Sequence, residues 1–118
     1  MSQSIGIFFG GKSATLSDIA QDIEAVAGVK RLERDATRAC GFKLDGLLGT
    51  LVSNPHVDDD EVKDFSAELI IDGRGADLEA TGRKLFEGLR GLNKYQQLLT
   101  LDAVELDSFK PSGPNATA

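Results

Sequence analysis

The sequence predicts an α/β protein in which helices pack on a sheet, and three observations carry that reading. Residues 4–9, 65–71 and 98–106 have the composition of strands, two other segments space their apolar residues as helices do, and the two kinds alternate along the chain. The 118 residues suit one domain. We place it at residues 1–109, with residues 110–118, rich in proline and small polar side chains, as a flexible tail.

Taken in order, the apolar run at 4–9 ends at Gly10-Gly11 and reads as a buried strand followed by a turn. Leu16, Ile19, Ala20, Ile23, Val26 and Ala27 then recur with helical spacing, with Ser13 or Thr15 to cap the start and Gly28 to close the end. Residues 29–34 suggest an edge strand, because four of the six side chains are charged. Residues 36–63 hold Phe42, Leu44, Leu47, Leu48, Leu51 and Val52, broken by Gly41, Gly46 and Gly49, and support no assignment. A strand is expected at 65–71. A helix follows from Asp77, with Leu78, Leu85, Phe86, Leu89 and Leu92 on one side, and residues 98–106 form the last strand.

The composition excludes several classes. Cys40 is the only cysteine, so no intrachain disulfide and no cysteine cage for a metal can form. Cys40 itself reads as a small core residue. A formal net charge of −6 opposes general nucleic-acid binding and favours a basic protein partner. Neither a membrane-spanning run nor a secretion signal is evident, which leads us to expect a cytoplasmic protein. No acid/base pair or nucleophile signature stands out, so an enzyme reading rests on nothing specific.

The turn formed by Gly10, Gly11, Lys12, Ser13, Ala14 and Thr15 is the expected special surface. Glycines between a strand and a helix leave backbone N–H groups at the positive end of the helix dipole, which suits a phosphate. Turns of this composition are also ordinary connections in α/β proteins. The text Gly6-Ile7-Phe8-Phe9-Gly10-Gly11-Lys12-Ser13 matches a P-loop pattern, but only five residues precede Gly6, too few for the strand that must lead into such a loop.

Ile5-Gly6-Ile7-Phe8-Phe9-Gly10, a short hydroxyl-bearing turn and Asp18-Ile19-Ala20-Gln21-Asp22-Ile23 together resemble the start of a flavodoxin. Asp64-Phe65 leading into Leu69-Ile70-Ile71 resembles that family's third strand, and Leu85-Phe86-Glu87-Gly88-Leu89 its following helix. The resemblance implies a shortened flavodoxin-like parallel sheet, with ligands at the carboxyl ends of its strands. It further implies electron transfer on bound flavin mononucleotide, FMN, whose phosphate would occupy the turn from Gly10 to Thr15. This chain departs from the family's phosphate loop, since Gly11, Ser13, Ala14 and Leu16 fall on the pattern positions and only Ser13 keeps the expected chemistry. It has no Trp, and its one Tyr, Tyr95, lies outside the expected ring-stacking loop, which predicts weak flavin binding or none.

A ferredoxin-like α+β sandwich is the alternative, with residues 36–63 inserted between its halves. Phe65, Ala67, Leu69 and Ile71 alternate with Ser66, Glu68, Ile70 and Asp72, as on an antiparallel sheet with one wet face. His56 and the acidic run Asp58-Asp59-Asp60-Glu61 match no metal-binding pattern and read as a solvated loop. Two functions remain open: a flavodoxin-like docking module linked to electron transfer, and a cofactor-free acidic protein, immunity-like or inhibitory, that uses Asp58 to Glu61 to cover a basic partner surface.

Overall fold

The computed structural model describes residues 3–11, 14–32, 39–56, 58–73 and 75–111. Its elements run in the order β1 (Gln3–Gly10), α1 (Leu16–Ala27), β2 (Ala39–Leu44), β3 (Leu47–Ser53), β4 (Ala67–Gly73), α2 (Gly75–Arg90), β5 (Gln96–Leu101) and β6 (Val104–Phe109). The strands form one six-stranded sheet in the order β2-β3-β4-β1-β5-β6. Every neighbouring pair is antiparallel.

The parallel, shortened flavodoxin-like sheet is therefore not formed, and the architecture is α+β. Two features of the sequence concealed this. The first is β1, which is apolar on both faces and so imitates a central parallel strand. Its Ile5, Ile7 and Phe9 point to the helices, while Phe8 on the other face lies under the loop after β3, with ring centroids 5.9 Å from His56 and 5.8 Å from Phe65. A covered face allows apolar residues whatever the strand direction. The second is the segment read as one last strand, which is a hairpin: Asp102 and Ala103 both take positive φ, at 47° and 68°, and reverse the chain between β5 and β6.

The unassigned middle is also a hairpin. Asp45 and Gly46, with φ of 51° and 83°, join β2 to β3, and Gly49 leaves room for Leu44 to cross it. The expected edge strand at 29–34 is absent over residues 29–32. Arg31 instead folds back on α1, with its backbone N–H and guanidinium donating to Glu24 carboxylate oxygens at 3.1 and 2.8 Å.

Both helices cover one face of the sheet. Ile19, Ala20 and Ile23 of α1 and Leu78, Leu85, Phe86 and Leu89 of α2 meet Ile5, Ile7, Phe9, Phe42, Leu51, Leu69, Ile71 and Leu99 in one core. Cys40 joins it, 1% exposed. Burial of each such large apolar side chain contributes about 1.5–3 kcal/mol. Thr15 caps α1, its Oγ1 accepting from Asp18 N at 3.2 Å, and Gly28 ends it with a left-handed φ of 68°. Asp77, expected to cap α2, stands inside its first turn. No described helix is long and apolar enough to cross a membrane.

Candidate functional site

The sheet face away from the helices carries the site. The loop between β3 and β4 folds over its middle and stops short of β5 and β6, leaving an open cleft of about 780 Å³. Asn54 fixes that loop. Its Nδ2 donates to the Val62 and Phe65 carbonyls at 2.6 and 3.0 Å, and its Oδ1 accepts the His56 N–H at 2.8 Å. Ser66 N donates to Phe9 O at 2.8 Å, pinning the end of the loop to β1. His56 is thereby held at the mouth of the cleft, its side chain half-exposed.

Facing it is Glu68 of β4, only 6% exposed. Glu68 Oε1 has no hydrogen bond of ordinary geometry, and His56 Nε2 lies 3.4 Å away. Burial pushes the Glu68 carboxyl above its ordinary pKa, and the imidazole opposes that shift in part. Beside Glu68 is Gly6. A Cβ there would stand 2.7 Å from Glu68 Oε2 and 2.8 Å from Thr100 Oγ1, so the missing side chain lets both oxygens lie over the central strand. Thr100 Oγ1 in turn donates to Gly6 O at 3.3 Å.

Asp59, Glu61, Asp102 and Glu105 ring this floor. Asp102 is steadied by the Ser4 N–H, which donates to its Oδ1 at 3.1 Å. Five carboxylates and one imidazole thus line the cleft, with no lysine or arginine among the described lining residues. Such a basin focuses negative potential and attracts cations. No described group of three or more His, Cys, Asp and Glu side chains is arranged to hold a metal ion.

No family model, curated protein or solved structure matches this chain. Its chemistry must be argued from its own residues.

The sequence-based site lies elsewhere, at the end of β1 on the way to α1. Gly10 is buried, and a Cβ there would meet the Phe65 ring at 3.2 Å. Gly11, with φ of 110°, makes a tight turn in which Ala14 N donates to Gly11 O at 3.2 Å. Thr15 is engaged as the helix cap. Lys12 and Ser13 lie outside the described residues. Asp18 in the first turn of α1 brings negative charge to the same helix end. Tyr95, outside the turn, is a core residue. It is fully buried, edge-on to Phe9, and its hydroxyl donates to Asp22 Oδ2 at 2.5 Å.

The acidic run contributes as part of the new site. Asp59 and Glu61 face the cleft, whereas Asp60 pairs with Lys63 at 3.3 Å. Sequence reasoning named His56 and missed Gly6, Glu68 and Thr100. The available signal was Glu68 itself, a carboxylate beside Ile70 on the face of β4 expected to be wet. What the alternation did not reveal is that a loop returns over that face and buries it.

Proposed function

We propose that the protein is a cofactor-free acidic docking module whose open sheet face receives a basic segment of a protein partner. The observation that carries this reading is the buried Glu68 carboxyl at the base of a cleft ringed by Asp59, Glu61, Asp102 and Glu105. A buried carboxylate without a full set of partners is costly, and a cation brought by a ligand removes that cost. The rim charges add long-range attraction, which raises the association rate at low salt. The strand order β3-β4-β1-β5, with α2 crossing from β4 to β5 and with α1 and then β2 between β1 and β3, supports a ferredoxin-like assignment in which the uncovered face binds.

The test is a titration of ¹⁵N-labelled protein with a lysine-rich peptide at low and high salt. The reading expects saturable amide shifts at Gly6, Glu68, Thr100 and Glu105 that weaken as salt rises. Shifts confined to the helix side, or none, would remove it. FMN serves as the second titrant. Saturable shifts at Gly10, Gly11, Ala14 and Thr15 on adding FMN would instead favour the electron-transfer role implied by the flavodoxin resemblance.

A further inference from the structure

The floor of the cleft has a property that its overall charge does not express. Thr100 Oγ1 commits its proton to Gly6 O at 3.3 Å, so toward the cleft it presents lone pairs. Beside it, Glu68 presents Oε1 without a hydrogen bond of ordinary geometry and Oε2 lying over Gly6. Apart from His56 Nε2, 3.4 Å from Oε1, the polar side-chain atoms at this floor are acceptors. Phe8, Ile70 and Leu98 give the surrounding walls an apolar character.

Acceptors that converge from two strands onto one point suit a compact group with several donors. A lysine ammonium carries three rotatable donors, whereas a planar guanidinium binds best when both oxygens of one carboxylate lie in its own plane. One Glu68 oxygen lies down over Gly6 and the other faces His56, so no such fork is offered. The methylene stem of a lysine also matches a wall made of Phe8, Ile70 and Leu98. His56 is half-exposed and held to Glu68 only by a long contact, so an entering cation can displace it.

We propose that the cleft floor seats one lysine side chain of the basic partner segment, its ammonium taking the place of His56 on Glu68 and donating also to Thr100 Oγ1. This rests on the docking reading above and adds the group that is selected: the rim attracts positive charge in general, and the floor distinguishes lysine from other cations.

Three peptides of equal length and charge separate the two levels, carrying lysine, arginine or Nε-trimethyl-lysine, with binding followed by fluorescence anisotropy. Trimethyl-lysine keeps the charge and loses every donor. The lysine peptide is expected to bind at least about tenfold more tightly than the trimethyl peptide, which loses the charge-assisted hydrogen bonds to both Glu68 and Thr100. Gly6→Ala intrudes on Glu68 and Thr100 and is expected to abolish that preference. Thr100→Val, which conserves volume, is expected to reduce it if Gly6→Ala fails to fold. Asp59→Asn with Glu61→Gln should weaken all three peptides alike. Equal affinity of lysine and trimethyl-lysine peptides for the wild type would overturn the lysine seat and leave the docking surface standing. Failure of all three to bind would overturn both.

Discussion

Glu68 on β4 and His56 on the loop after β3 face each other across the cleft floor, Oε1 to Nε2 at 3.4 Å, one side chain buried and the other half-exposed. The asymmetry sets the electrostatics. Glu68 bears most of the desolvation, and its only relief from a cation among the described residues comes from His56.

Replacing Glu68 with Gln should therefore change how stability depends on pH. The folded-state pKa of Glu68 is raised above its ordinary 4.5, mainly by burial. The native state then holds this proton more tightly than the unfolded chain does. The resulting stabilisation is complete below the ordinary value and is lost as the pH climbs through the raised one. Glu68→Gln has no such proton to lose, so the variant should gain on the wild type over that window and keep a constant lead above it. Urea unfolding at a series of pH values measures the difference. Parallel curves would mean that Glu68 is solvated well enough to titrate as it does in the unfolded chain.

Removing the imidazole should push the same carboxyl further. His56 lowers the Glu68 pKa, chiefly through its charge, so His56→Ala should raise it. Asp59, Glu61, Asp102 and Glu105 line the same basin and offer no cation in its place. A ¹³C titration of the Glu68 side-chain carboxyl reads this directly. An unchanged midpoint would show that the contact carries no electrostatic coupling.

The capping of α1 was legible in the sequence. The sequence offers Ser13 or Thr15 ahead of an apolar stripe that ends at Gly28, and the structure caps the helix with Thr15 and closes it with Gly28. Thr15→Ala should accordingly cost about 1 kcal/mol, the usual loss for a side-chain cap. Chemical denaturation checks the value. A null effect would return this hydroxyl to the phosphate role that the turn's composition suggested.

Local patterns were readable because they depend on neighbours in the chain. The helices follow from apolar spacing, and β4 from its alternation. Sheet direction did not follow, because β1 is apolar on both faces for a nonlocal reason, a loop more than forty positions later that lies over Phe8. The same loop creates the candidate site by burying Glu68. Gly6 is the clearest case. In sequence it resembles part of a glycine-bearing strand end, and only the pairing of β1 with β4 and β5 reveals that it makes room for Glu68 and Thr100.

On the helix side of the sheet, Gln97 is the polar counterpart of Glu68 without a ligand's purpose. It is 1% exposed, and neither its Nε2 nor its Oε1 has a hydrogen-bond partner. Across the sheet it faces Phe9 on β1 and Phe109 on β6, so its amide lies in apolar surroundings. Burying an amide without compensating bonds costs about 1–3 kcal/mol, and an apolar side chain of similar length avoids that cost. Gln97→Met should thus stabilise the protein by an amount in that range, seen as a higher urea midpoint at unchanged slope. The variant should leave peptide binding at the opposite face untouched. Destabilisation would mean that the amide is satisfied in solution by a bound water, and that the helix-side core is wetter around β5 than its apolar lining indicates.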